Sequence, residues 1–260
     1  MKIETVINLF KGLRKSNFFS AIRENIKPIE YEIESNEVIE QRKNFYNQFI
    51  SENNLVFDVG ANIGNRIVPF LKLKAKVVAF EPQKKCVKIL KRRFGKEIEI
   101  VKNGLSNQIE IRTFFVSNAN TLSSFSERWI NSVKNERFSG LNWKATNQIQ
   151  MITLDLAIKK YGKPDFIKID VEGFELEVLQ GLNTSIKYIS FEYTTPEQNE
   201  DAIKCIDRIL LLNPETLFNY SEGESMSLKF ENWIDGIKIK NHVLTNEFIN
   251  SGFGDIYAQS

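Results

Sequence analysis

The sequence predicts a doubly wound α/β fold built around a mainly parallel sheet. Short apolar runs alternate with segments whose apolar residues recur at helical spacing, which is typical of consecutive βαβ units. The runs contain few polar residues, which indicates strands that are buried on both faces. Two of them end in an acidic residue, at the edge where open α/β sheets bind their ligands. We therefore expect an α/β domain with a ligand site at that edge.

The predicted elements follow in order from Leu55. Strands are expected over residues 55–60, 76–80, 98–101, 165–170, 186–193 and 254–258. The periodicity of the apolar residues predicts helices around 63–71, 87–94, 174–180 and 202–212. We expect the last strand to lie at an edge of the sheet.

Residues 1–50 are polar, charged and helix-prone, and we expect them to form an N-terminal helical extension to a main domain at 51–260. The first residues have the pattern of a basic amphipathic helix, with apolar side chains at Ile3, Val6, Ile7, Phe10 and Leu13. Docking of this helix onto the main domain is the favoured interpretation. Peripheral contact with an anionic membrane surface is the alternative.

A segment of looser pattern interrupts the alternation between Ile109 and Met151. Serine and asparagine residues are scattered among aromatic ones there, and we predict a strand pair with a long loop. Loops of this length in compact domains are often lids over a site. We therefore expect the part from Asn120 to Trp143 to cover the substrate side of the site rather than to belong to the core.

Composition excludes several classes of function. The formal net charge of +2 gives no reason to expect nucleic acid as a partner. Cys86 and Cys205 have neither a disulfide pattern nor metal-ligand spacing, so we predict no metal and a reducing, cytoplasmic setting. No signal peptide or transmembrane segment is predicted. Because His242 is the single histidine, catalysis has to come mainly from carboxylates, hydroxyls, amides and backbone groups.

The strongest motif is DVGANIG, which begins at Asp58 where the first strand ends. Gly60 permits a tight turn, and a following helix would offer backbone N–H groups to an anion. The next strand ends at Glu81, about twenty residues on, where a carboxylate can accept hydrogen bonds from ribose hydroxyls. A pyrophosphate would be repelled by Asp58, whereas an amino acid's ammonium would be attracted. The motif therefore favours S-adenosylmethionine over NAD, although an NAD-type enzyme remains an alternative.

A third motif, KIDVEGFE, brings Lys168, Asp170 and Glu172 to the carboxyl end of a later strand. Asp170 and Glu172 are expected to have a role in the ligand site. Glu175 is expected to cap the helix that follows, where a carboxylate stabilises the helix dipole.

The order of these motifs resembles the FkbM-type methyltransferases: DVGANIG, AFEP, NGLSN, TLD, KIDVEGFELEVLQGL and ISFEY. The resemblance covers roughly residues 50–195. It implies a class I, Rossmann-like methyltransferase with a seven-stranded sheet and S-adenosylmethionine as cofactor. It also implies the residues that bind the cofactor, which are Asp58, Gly60, Ala61, Asn62, Gly64 and Glu81, with Gly104, Leu105 and Ser106 beside the adenine.

Enzymes of this family typically methylate hydroxyl oxygens of sugars or natural products, so we expect a small-molecule or glycan acceptor. A hydroxyl needs a group that takes up its proton, and Asp170, Glu172 and Glu192 are the candidates. A divalent metal could do the same, but no metal-ligand spacing supports one. Methylation of amino groups is disfavoured because no Pro-Pro follows Asp170. A Rossmann-like nucleotide-binding module without turnover remains an alternative.

Overall fold

The computed structural model describes residues 34–119, 122–134 and 138–260. An eight-stranded mixed sheet forms its centre, with strand order β10-β9-β11-β8-β7-β1-β2-β3. A three-stranded sheet of order β4-β6-β5 lies beside it. The predicted amphipathic helix at the N-terminus falls outside the described residues.

The strands are β1 (Leu55–Val59), β2 (Lys76–Phe80), β3 (Glu99–Val101), β4 (Gly104–Leu105), β5 (Ile111–Ser117), β6 (Trp143–Ile152), β7 (Phe166–Ile169), β8 (Tyr188–Thr194), β9 (Leu217–Glu222), β10 (Ile234–Asp235) and β11 (Phe253–Gln259). The helices of the described part are α1 (Asn36–Tyr46), α2 (Ile67–Lys72), α3 (Lys84–Phe94), α4 (Glu127–Val133), α5 (Leu154–Tyr161), α6 (Glu175–Gln180), α7 (Asn199–Leu212), α8 (Gly236–Val243) and α9 (Asn246–Ile249).

Five strands, β3-β2-β1-β7-β8, form the parallel half of the large sheet. The residues of β7 are all buried, as are those of β1 after Leu55, because helices cover both faces. This confirms the predicted doubly wound class I fold. It also explains why the strand sequences are continuous apolar runs rather than alternating apolar and polar residues.

The other half of the sheet is antiparallel and corrects one expectation. β11 lies between β8 and β9 and pairs antiparallel with both, so the last strand is interior rather than at the edge. The edge is instead the two-residue strand β10, which brings the total to eight strands where seven were expected. An interior position explains the burial of Ile256, Tyr257 and Ala258.

Side chains of each strand alternate between two cores on opposite faces of the sheet. Phe57 and Val59 belong to the larger core, together with α6 and α7. Val56 faces the second core, where α1 contributes a group of aromatic side chains. Phe49, just after α1, stacks on Phe166 and Tyr257 with ring centroids 5.7 Å and 5.1 Å apart. The described part of the predicted N-terminal extension therefore packs directly on the sheet.

The insertion contains the predicted strand pair, because β5 and β6 pair antiparallel. It also has a small core of its own, in which Trp129, Val133 and Phe138 are buried. None of the helices in the described ranges combines the length and apolar character needed to span a membrane.

Candidate active site

A cavity opens at the carboxyl ends of β1, β2 and β7, and it encloses about 780 Å³ of empty space including its mouth. Its walls come from the loops that follow these strands, from Gly104 and Leu105 of β4, and from the insertion. This is the edge at which the sequence predicts a ligand, and it gathers residues of all three motifs.

The turn after β1 forms the floor of the cavity. Gly60 lies in the left-handed region at φ +85°. The backbone N–H groups of Gly60 and Ala61 both donate to the carbonyl of Phe80, at 3.0 Å and 3.1 Å. α2 begins only at Ile67, so the turn is longer than predicted. The N–H groups of Gly60 and Ala61 already have an acceptor within the protein, and the helix whose N-terminus was expected to face an anion begins further along the chain.

Asp58 is buried beneath this turn with an exposed fraction of 2%. Its Oδ2 has no hydrogen-bond partner among the described residues. Burial raises the pKa of Asp58 to about 7, with the charge of Asp170 adding to the rise and that of Lys168 opposing it. A buried carboxylate oxygen without a donor is a group that a cationic ligand could satisfy.

Glu81 lies beside the turn and lines the cavity. Its carboxylate accepts backbone hydrogen bonds from Asn62 at 2.8 Å and from Gln83 at 2.6 Å. Burial raises the pKa of Glu81 to about 7, although these hydrogen bonds act to lower it. The bond from Asn62 ties the first motif to the second and holds the carboxylate in place.

An apolar slot forms the other wall of the cavity. Gly104 and Leu105 line it, together with Phe114 and Phe125 of the insertion. The ring centroids of the two phenylalanines lie 4.7 Å apart. Flat apolar surfaces of this kind suit an aromatic base.

The remaining predicted cofactor residues lie close to the cavity without lining it. Ser106 is fully buried, and its hydroxyl donates to Glu110 at 3.0 Å. A side chain at Gly64 would collide with Phe94 and Leu90 of α3, so this position serves the packing of the loop on the helix. The cofactor roles of all the predicted residues, whether or not they line the cavity, stay predictions.

Asp170, Glu172 and Glu192, the three candidate bases, lie together at the mouth of the site. One carboxylate oxygen of each lies within 4.8 Å of the other two. Asp170 and Glu172 also line the cavity. One divalent cation could contact all three carboxylates, an arrangement that spacing along the chain does not reveal because Glu192 comes from β8.

In this acidic cluster, meaning Asp170, Glu172 and Glu192, burial and the repulsion between carboxylates both act against ionisation of Glu192. Burial raises the pKa of Glu192 well above its usual range, and the charges of Asp170 and Glu172 add to the effect. Glu192 therefore keeps a proton more readily than a solvent-exposed glutamate does.

Glu175 was expected to cap α6, but Phe174 occupies the N-cap position without a side-chain cap bond, and the Glu175 side chain bonds the preceding turn instead. Its carboxylate accepts the backbone N–H groups of Val171 at 3.0 Å and Gly173 at 3.3 Å. Burial raises the pKa of Glu175 to about 7, although these hydrogen bonds oppose the rise. These two hydrogen bonds therefore stabilise the turn that carries Asp170 and Glu172.

Several residues that line the cavity were not predicted from the sequence. Asn103, Gln83 and Cys86 line the cavity, as do Ser123 and Phe125 from the insertion. The aromatic residues of the insertion suggest that it contributes to the site, but the sequence does not indicate which of them faces the cavity. Trp129 packs against the backbone of Gly173 instead. The insertion therefore touches both the cavity and the acidic turn.

Residues 58–222, more than half of the chain, match the sequence family described as "Methyltransferase FkbM domain". The matched region contains all three motifs and the whole acidic cluster. A search among curated proteins finds no match.

Solved structures of similar shape share little sequence with the chain. Precorrin-6y C5,15-methyltransferase from Geobacter metallireducens GS-15 is 9% identical, with 90% of this chain and 94% of that chain covered and a TM-score of 0.43. A TehB-like SAM-dependent methyltransferase from Corynebacterium glutamicum ATCC 13032 Kitasato is 10% identical over 100% of both chains, at a TM-score of 0.44. Ribosomal protein L11 methylase from Lactobacillus delbrueckii subsp. bulgaricus is 10% identical, with 87% and 80% covered and a TM-score of 0.43.

Proposed function

Because the chain belongs to the FkbM methyltransferase family, we propose that it is an S-adenosylmethionine-dependent O-methyltransferase that acts on a hydroxyl of a sugar, glycan or natural product. The observation that carries the hydroxyl assignment is the acidic cluster of Asp170, Glu172 and Glu192 beside the cavity. We place the protein in the reducing cytoplasm, in keeping with its two free buried cysteines.

The residues that line the cavity, together with Asp58 beneath the turn after β1, fit S-adenosylmethionine. The unpartnered Oδ2 of Asp58 would pair with the ammonium group, and Glu81 would accept the ribose hydroxyls. The slot formed by Leu105, Phe114 and Phe125 would take the adenine. When bound, the cofactor supplies an activated methyl group, which leaves the protein to align the acceptor and exclude water.

The acidic cluster would take up the proton of the acceptor hydroxyl. Asp170 stands at the end of β7, where its side chain is 31% exposed and can meet an acceptor. Glu172 and Glu192 lie close enough to pass the proton on or to hold a second hydroxyl. Carboxylates suit this task because no histidine lies among the residues that line the cavity.

The first test is calorimetric binding of S-adenosylhomocysteine, followed by transfer of a labelled methyl group to glycans and lipid-linked sugars from the host. Labelled product that is lost in Asp170→Asn would support the proposal. Binding without transfer to any acceptor would favour a non-catalytic module. Binding of NAD in place of S-adenosylhomocysteine would favour a dehydrogenase-type enzyme.

A metal-assisted form of the same reaction is the second candidate, because the acidic cluster could hold one divalent cation. Transfer that stops with a chelator and returns with Mg²⁺ would favour it. Transfer that is indifferent to chelator would leave the carboxylates to act alone.

A further inference from the structure

Lys168 is a buried cation directly behind the acidic cluster. It lies in the middle of β7, and its side chain is 1% exposed. Its Nζ lies 3.0 Å from Oδ2 of Asp170 and 3.3 Å from Oδ1 of Asp255. The lysine therefore connects the site to β11, the interior strand near the end of the chain.

The register of the sheet explains why these three groups meet. Lys168 and Asp170 are two residues apart on β7 and its end, so their side chains point to the same face. Asp255 stands opposite Glu192 in the pairing of β11 with β8, which is the neighbour of β7. The lysine thus lies on the same face of the sheet as the acidic cluster, but deeper in the protein.

Other charged and polar groups surround the ammonium from the elements packed on this face. Arg66, at the start of α2, repels it, and the hydroxyl of Tyr46 on α1 lies close enough to interact. Asp58 of β1 is the direct neighbour of Lys168 in the sheet. Burial acts to lower the pKa of Lys168, but Asp170 and Asp255 outweigh it and raise that pKa well above its usual range.

A core strand alone does not require a lysine here. Burying an ammonium is costly, and an apolar side chain of similar length would fill the same space without that cost. The ammonium does provide one thing that an apolar chain cannot, which is a fixed partner for Oδ2 of Asp170. With that oxygen held, the other oxygen of Asp170 is left for a ligand in the cavity.

We propose that Lys168 is a positioning residue for methyl transfer, which holds the carboxylate of Asp170 in place while Asp255 anchors the ammonium from β11. The effect on catalysis rests on the proposed function. The contact by which Lys168 holds the Asp170 carboxylate, called the clamp below, can be observed in the protein without any ligand. Loss of the ammonium would free the Asp170 side chain to rotate, so fewer bound acceptors would meet it in a reactive geometry.

The test compares Lys168→Met with the double variant Lys168→Met/Asp255→Asn. The double variant removes one charge of each sign, so it avoids leaving Asp255 unpaired in the interior if the single variant folds poorly. Lys76→Met, at the exposed start of β2, is the matched control. Each protein would be labelled at the aspartate carboxyl carbons, and the Asp170 resonance would be assigned by its loss in Asp170→Asn.

We expect the Asp170 resonance to shift in both Lys168 variants and not in the control. S-adenosylhomocysteine affinity, measured at about pH 8, should fall by less than kcat does, and some loss is expected because the charge of Lys168 also helps to keep Asp58 ionised. With the acceptor found in the transfer screen, kcat should fall at least about tenfold while KM changes less. The variant Lys168→Met/Asp170→Asn should be no slower than Asp170→Asn, because both changes disable the same group.

An unchanged Asp170 resonance in the folded variants would overturn the clamp, and a shifted resonance with normal kcat would overturn its role in transfer. Failure of the proposed function looks different. In that case the wild-type protein transfers no methyl group to any acceptor, and the resonance alone decides whether the clamp exists.

Discussion

The backbone of Gly60 approaches that of Asp170 so closely that a Cβ on the glycine would lie 1.7 Å from the Asp170 carbonyl oxygen. The backbone N–H of Asp170 also donates to the carbonyl of Val59 at 2.9 Å. The turn after β1 and the turn after β7 are therefore in direct contact. The loop assigned to the cofactor and the loop that carries the acidic cluster form one unit.

Gly60→Ala should disrupt this unit. No side chain fits against the Asp170 carbonyl, so one of the two turns has to move. We expect loss of measurable S-adenosylhomocysteine binding and a lower melting temperature. Gly95→Ala is a matched control, because Gly95 also has a positive φ, of +56°, but nothing lies within 4 Å of its added Cβ. Equal behaviour of the two variants would show that backbone strain, not the contact with Asp170, is responsible.

Asp58→Ala and Glu81→Ala should each weaken S-adenosylmethionine binding. Loss of a hydrogen bond to a charged group costs about 1.5–3 kcal/mol, which corresponds to roughly 10- to 150-fold in affinity. Calorimetry of the two variants against Glu97→Ala, an exposed glutamate, would measure the effect. Parent-like affinity in both would rule out the proposed cofactor site.

Binding of S-adenosylhomocysteine should release protons near neutral pH. Asp58 and Glu81 each have a pKa raised to about 7, chiefly by burial, so both are partly protonated at pH 7 in the free protein. An ammonium group next to Asp58 favours the ionised form and lowers that pKa, so affinity should rise between about pH 6 and 8. Calorimetry in buffers of different ionisation enthalpy counts the protons, and proton uptake would contradict the assignment.

Sequence motifs located the strand ends correctly but not their partners across the sheet. β2 has the predicted bounds and β1 ends one residue before the predicted end, because the apolar runs next to Asp58 and Glu81 mark both strands clearly. The meeting of Glu192 with Asp170 depends on the pairing of β7 with β8, which no local pattern specifies. The interior place of β11 was missed for the same reason, since strand order is a property of the whole chain.

The segment Asn120–Trp143 should open more readily than the sheet. Trp129 of this segment covers the backbone of Gly173, and Phe125 lines the cavity, so ligands would stabilise both contacts. Phe125 belongs to the larger core, but most of the buried residues of the segment form a small core of their own, which favours local opening. Hydrogen exchange should show fast exchange in the free protein and protection with cofactor and acceptor. Protection equal to that of Phe57 or Ile169 without ligand would mean that the segment is no lid.

The last prediction separates a chemical role of the acidic cluster from a structural one. Asp170→Asn keeps the size of the side chain and removes its charge, and we expect turnover to fall by about 10²–10⁴-fold, the usual contribution of a general base. Glu172→Gln and Glu192→Gln should also slow turnover, whereas the binding of S-adenosylhomocysteine should change little because its proposed contacts lie on the earlier loops.

Glu175→Gln provides the comparison, because Glu175 holds the turn through the N–H groups of Val171 and Gly173 rather than facing an acceptor. A structural role predicts a lower melting temperature with turnover per folded molecule preserved, and we expect that result for Glu175→Gln alone. Melting temperature and single-turnover rate would be measured on the same samples of all four variants. If Asp170→Asn and Glu172→Gln melted early but reacted at the parent rate, the proton would have to be taken up by another group, and the acidic cluster would be part of the scaffold.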